Sequence, residues 1–337
     1  MLNRIGMGIG AGLASALLFV VTAQGTALSL ALAYLAPLPI MIATLGWGVD
    51  AGVVALCVAC AVVAGGLEPL SGVLFGFTVA LPALGLAAFA GLRGSPLRID
   101  SFRRPPAAPA PLHRPSTTSG AGPSVGAIVV VAAGVGVAIG ACALVAMIVV
   151  YGGYQKGVEA VANFLRPAIE ESLGPSNLPE GFTLDDILRL VVKFSPPAIA
   201  SSTTLMFAAN LYAAARSAQL SQRLARSWPD VPTSLVLPPA LGAVLVVALG
   251  TWLAAPEPTC QFAALFVGSL GVAYVLQGLA VLHALSRRVR ARPALIAALY
   301  LACLVAPKWV LPAVATIGLI ESVASLRARA AAPKFGA

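Results

Sequence analysis

The chain has 337 residues, of which 59% are hydrophobic and 10% charged, with a formal net charge of +9. This composition excludes an ordinary soluble domain, because apolar runs recur near the roughly 20 residues that cross about 30 Å of hydrocarbon. The positive charge sits at the edges of those runs, where anionic lipid and topogenesis account for it without a nucleic-acid partner.

Ten spans are predicted, at 5–22, 27–45, 51–65, 70–92, 125–150, 194–216, 235–254, 262–284, 294–306 and 309–326. Sixteen of the 21 Lys and Arg residues fall at Arg4, Arg93 to Arg114, Arg216 to Arg226, Arg287 to Arg292, and Arg327 to Lys334. An even number of spans separates each group from the next, so the positive-inside rule puts both termini in the cytoplasm. The expected fold is all-α, a polytopic transmembrane helical bundle of about ten spans (eight to ten). Residues 294–326 make either two spans or one re-entrant hairpin. The expected organisation is a four-span half (1–92), a Pro-rich disordered cytoplasmic linker (93–124), a six-span half (125–326) with an external amphipathic segment at 151–193, and a cytoplasmic tail (327–337).

The first run is read as a retained helix rather than a signal peptide, since the next span follows almost at once. Small residues repeat at Gly8, Gly12 and Ala16, and again at Gly6, Gly10 and Ala14. Each face allows close backbone approach, either to a separate membrane subunit or to a helix of this chain.

The second span contains Pro37 and Pro39, which remove backbone donors at mid-membrane depth. Such broken helices line substrate sites or are filled by neighbouring side chains, and Pro37 and Pro39 are candidate substrate-binding residues on the first reading. Asp50 is read as the cap of the third span. Cys57 and Cys60 have CxxC spacing inside an apolar helix, where packing is favoured over redox or metal chemistry. With five Cys and two His in all, no disulfide framework, metal site or cofactor is expected.

In the external segment, Val158, Val161, Phe164, Leu165, Ile169 and Leu173 recur at helical spacing against charged residues, predicting an interfacial amphipathic helix. A second short helix is predicted after Thr183, because Thr183 and Asp186 have capping-box spacing. Pro196 and Pro197 should then break the chain as it enters the sixth span. Asn210 in that span and Gln277 in the eighth are the other candidate substrate-binding residues, since a buried amide either bonds a neighbouring helix or faces a cavity. Glu321 is expected to pair with Arg327 or Arg287. No HExxH, nucleophile elbow or phosphate loop is present, so an enzyme is not expected, and any ATP-driven role needs a separate ATPase.

The run Ala33 to Met41, the turn Gly46 to Gly52, the Gly/Ala-rich third span, and the closing Ile317 to Glu321 leading into Arg327 resemble the YybS-like bacterial membrane proteins, a family of unknown function. That family is distantly similar to the S components of energy-coupling-factor transporters and to MreD-type envelope proteins. The resemblance implies a small-molecule-binding or transporter subunit, with Gly8, Gly12 and Ala16 as a helix-docking surface for a separate coupling subunit and its ATPase. The alternative it implies is a non-transporting membrane scaffold that holds cell-envelope proteins.

Overall fold

A computed structural model describes residues 2–92, 122–173, 181–224 and 228–331. Most of the expected linker, 93–121, and the end of the tail, 332–337, lie outside the described residues. Every regular element among the described residues is helical. Seven helices among them are long and apolar enough to cross a bilayer: Leu2–Gln24, Ala27–Trp47, Val49–Gly66, Pro69–Gly91, Val125–Val150, Leu184–Leu220 and Thr259–Leu285. The other three predicted spans coincide with helices of 15, 14 and 18 residues, Ala240–Ala254, Arg292–Val305 and Pro307–Ala324.

The chain divides into two units, Met1–Ser124 with Asn210–Trp228, and Val125–Ala209 with Pro229–Ala337. The segment Asn210–Trp228 thus groups with Met1–Ser124.

In the first unit, α1 (Leu2–Val20) is followed by α2 (Ala27–Ala33), α3 (Pro37–Trp47) and α4 (Val49–Gly66). Then come α5 (Pro69–Phe75) and α6 (Leu81–Gly91), joined by a π turn over Gly76–Ala80. Close packing of α1 on α4 follows from small residues: a Cβ at Gly8 would stand 2.6 Å from Ala51 O, and one at Gly12 2.6 Å from Ala55 O. Ala16 on the same face is fully buried. The face expected to receive a separate subunit is therefore filled by α4 of this chain. The opposite face is open, with nothing within 4 Å of a Cβ at Gly6 or Gly10.

The two prolines break the second predicted span into α2 and α3. Leu38 N bonds Leu35 O at 3.0 Å instead of reaching Tyr34 O, and Asn210 Nδ2 takes that freed carbonyl at 2.7 Å. Ser15 Oγ donates to Ala36 O at 2.6 Å in the same break. The helix interruption is thus satisfied by polar side chains from other helices of the same unit. Between α3 and α4 the chain turns on one residue, Gly48, at φ 102°, a conformation that favours glycine. Asp50 does not cap α4; Gly48 holds that position and the Asp50 carboxylate lies 3.7 Å from Arg4 Nη1.

In the second unit, α7 (Val125–Val150) leads to the amphipathic α8 (Tyr154–Leu173). The long α9 (Leu184–Leu220) begins in this unit and passes the division at Ala209. Thr183 and Asp186 form the expected capping box, Thr183 N donating to Asp186 Oδ2 at 3.0 Å and Asp186 N to Thr183 Oγ1 at 3.2 Å. No separate short helix follows, because α9 continues unbroken through Pro196 and Pro197. The missing amide of Pro196 would have bonded Val192 O, and Ser195 Oγ donates to that carbonyl at 2.8 Å.

The rest of this unit comprises α10 (Val231–Ser234), α11 (Ala240–Ala254), α12 (Thr259–Leu285), α13 (Arg292–Val305), α14 (Pro307–Ala324) and α15 (Leu326–Ala331). Its core centres on α12, whose Tyr274 and Ala273 pack with Val125, Val129, Leu235 and Leu237. The backbones of α12 and α14 touch where Gly278 faces Val314 O and Gly318 faces Tyr274 O. Small residues again permit the approach that dispersion forces reward.

Candidate functional site

The first unit contains a half-open cavity of about 530 Å³, a size typical of small-molecule sites. It is built from the ends of three helices and a turn: the last turn of α3 with Trp47, the Gly48 turn, the end of α6 through Leu92, and Arg4 near the start of α1. Arg223, Leu224 and Trp228, which follow α9, complete the lining. The small side chains of Gly46, Ala88 and Gly91 leave room between these groups.

The polar content of this cavity is one-sided. The guanidinium of Arg223 stands over the Trp47 ring, 4.7 Å from its centroid, a contact between a cation and the negative face of the indole. Arg4 contributes a second guanidinium, with Asp50 at 3.7 Å. The indole Nε1 atoms of Trp47 and Trp228 are both buried, and no acceptor among the described residues reaches either. Buried indole N–H groups ordinarily find partners, and leaving one unmade costs about 1–3 kcal/mol. Thr44 Oγ1 donates its proton to Ile40 O at 2.7 Å. Among the described residues the lining includes two guanidinium side chains and no carboxylate, imidazole or thiol.

The candidate residues named from sequence lie elsewhere. Pro37 and Pro39 form the first turn of α3, and Asn210 is committed to Tyr34 O. Gln277 sits in the second unit as a junction: its Oε1 accepts from Leu237 N at 2.6 Å, and its Nε2 donates to Gly318 O at 2.7 Å and Ser322 Oγ at 2.8 Å. These bonds hold an extended stretch from Leu235 to Pro238, deeply buried at Leu237, against α12 and α14. Arg327 secures the same stretch, donating through Nη1 to Pro232 O at 2.6 Å and through Nη2 to Leu235 O at 2.7 Å. Gly8, Gly12 and Ala16 are interior packing, as described above.

In the sequence Arg4 and Arg223 belong to the basic groups that topology accounts for, and the one local signal was that Trp228 follows Arg226 by two positions.

Two further clefts differ in chemistry. One of about 460 Å³ among α4, α5 and α6 is apolar apart from Cys60. The other, about 480 Å³ between α8 and the start of α9, carries both signs of charge. There Arg166 Nη2 bonds Asp185 Oδ1 at 2.6 Å and Gln155 Nε2 bonds Glu257 Oε2 at 3.1 Å. Burial, with the Glu257 carboxylate adding to it, pushes the Tyr154 phenol up to about 12. Of the charged side chains lining this cleft, Arg166 and Asp185 form an ion pair. Among the described residues no group of three or more His, Cys, Asp or Glu is placed to hold a metal ion.

Comparison with known protein families, with curated proteins and with solved structures finds no match to this chain.

Proposed function

We propose that the chain is a multi-pass protein of a bacterial inner membrane that binds a small molecule in the cavity of its first unit, as a binding or transport subunit. The observation that carries this reading is a cavity of about 530 Å³ whose lining brings Trp47 and Trp228 together with the two guanidinium-bearing residues Arg4 and Arg223. The role agrees with the one implied by the resemblance to S components. A coupling subunit would have to dock away from Gly8, Gly12 and Ala16, which α4 covers. Ten crossings with cytoplasmic termini would put this cavity at the cytoplasmic headgroup level, where Trp and Arg are favoured.

The test is purification of the full chain in a mild detergent, followed by native mass spectrometry of retained molecules and copurifying proteins. A bound small molecule whose occupancy falls in Arg223→Gln supports the reading. A chain that retains no small molecule and brings envelope-synthesis proteins with it favours the scaffold instead.

A further inference from the structure

A proline inside a helix frees a backbone carbonyl, and within a bilayer that carbonyl needs a donor from elsewhere. At Pro37 and at Pro196 the chain supplies one: Asn210 reaches Tyr34 O and Ser195 reaches Val192 O. Pro82 is different. The π turn before it carries the Leu81 amide back to Gly76 O, so Phe77 O loses the donor four residues on, and the donor five residues on is absent because position 82 is proline. Among the described residues no side chain donates to Phe77 O, and the adjacent Thr78 hydroxyl is turned to Leu74 O at 2.7 Å. A helical carbonyl points along the axis toward the residue four positions on. Phe77 and Leu81, which bracket this one, are 68% and 50% exposed, and both line the apolar cleft of about 460 Å³. The carbonyl therefore opens onto that cleft.

Phe77 lies eight residues past Pro69, the start of its span, which is about 12 Å along the helix at 1.5 Å per residue. That is deeper than the interfacial layer holding lipid hydroxyls, so a donor at this level comes from a transmembrane segment. The same face carries one. Thr78 stands beside Phe77 at the same depth, and its hydroxyl rotates to suit an acceptor. The face also pairs a knob with a hole: the Phe77 ring stands out beside a cleft whose far wall is the small side chains of Cys60, Ala61 and Ala64. Donor with acceptor and knob with hole, all at one depth, make a surface that is complementary to itself under a two-fold axis along the membrane normal. We propose that the chain forms a two-fold dimer through this α5–α6 face. The Phe77 ring of each copy seats in the other's cleft, and each Thr78 hydroxyl donates to Phe77 O of the other copy.

The experiment reconstitutes the full chain, carrying one C-terminal fluorophore, into vesicles of phosphatidylethanolamine and phosphatidylglycerol over a range of protein-to-lipid ratios, and counts copies by photobleaching steps. A monomer–dimer equilibrium is expected. Thr78→Val keeps the side-chain shape and loses the donor, while Pro82→Ala restores an amide within the helix for the freed carbonyl and leaves the exposed face as it is. Each should weaken the dimer about tenfold, the effect of losing two symmetry-related hydrogen bonds between membrane helices. Phe77→Ala, at an exposed position, should weaken it further and serves if either of the others does not fold. Gly10→Leu, on the open face of α1, should change nothing. Single steps at every ratio overturn the proposal, and so does a dimer that all three variants leave intact or that Gly10→Leu abolishes. A chain that stays monomeric alone but holds a different membrane protein through this face, with the same variants releasing it, overturns the assignment to a second copy.

Discussion

Arg327 Nε donates to Glu321 Oε1 at 2.8 Å, with 12% and 5% of the two side chains exposed. The same guanidinium closes over the carbonyls of Pro232 and Leu235, so one cation neutralises a buried carboxylate and fixes an otherwise irregular stretch. Removing one member of such a pair leaves an uncompensated charge, which costs about 3–5 kcal/mol. Arg327→Met is expected to lower the thermal midpoint of the detergent-solubilised protein sharply. The double variant with Glu321→Met should recover part of the loss; a single variant that melts like wild type would show the pair to be idle.

Gln277 is expected to matter for stability and not for ligand. Replacing it with Leu strips the buried Leu237 amide of its acceptor and Gly318 O of a donor, at a cost of about 1–3 kcal/mol for each unsatisfied group. Thermal unfolding should report the loss, while affinity for any ligand of the first-unit cavity stays unchanged at a temperature where the variant is folded.

The two faces of α1 should respond oppositely to a single methyl. Gly8→Ala drives a Cβ to 2.6 Å from Ala51 O and should separate α1 from α4, destabilising the protein by about 1–3 kcal/mol. Gly10→Ala meets nothing within 4 Å and should be neutral or stabilising by up to about 1 kcal/mol through helix propensity. Melting curves of the pair provide the check, and equal responses would contradict the packing described.

Asp186 gives a pH dependence at the start of α9. The Thr183 hydroxyl and backbone amide donate to its carboxylate and hold its pKa below the ordinary aspartate value. A carboxyl depressed on folding contributes stability that is full above its unfolded pKa and lost as pH falls through the lower, folded one. Amide protection in the first turn of α9, measured against the intrinsic exchange rate at each pH, should therefore fall on acidification through that window, and Asp186→Ala should remove this pH dependence.

Topology is open to direct measurement. Reporter fusions after residues 110, 170, 222, 289 and 332 should read cytoplasm, outside, cytoplasm, cytoplasm and cytoplasm if the ten-crossing arrangement holds. A reversed reading at any one position would require a different count.

What the sequence made legible was local. Apolar runs and basic gaps located the membrane helices, and Thr183 with Asp186 marked a helix start that forms as expected, because both depend on neighbours along the chain. Interrupted helices were harder. Pro196 and Pro197 read as a break, yet Ser195 supplies a donor that lets α9 continue. Conversely, 235–239 read as the beginning of a span, while Pro238 and Pro239 together with Gln277 and Arg327 hold it off the helix. Asn210 was recognisably a buried amide in need of a partner, but that partner is a carbonyl 176 positions away. The cavity was illegible for the same reason: Arg4, Trp47, Arg223 and Trp228 come from separate segments, and topology alone was a sufficient explanation of the two Arg residues.

The clamp by Arg327 also has a consequence for biosynthesis. The stretch from Val231 to Leu237 is inserted well before the residue that closes over its carbonyls has been made. Until Arg327 emerges, that stretch must wait unsecured, so the second unit locks only after α14 has been made. A product terminated between Ala324 and Arg327 would hold all the long apolar helices yet lack the bolt, and cellular quality control should clear it as it does an unassembled protein.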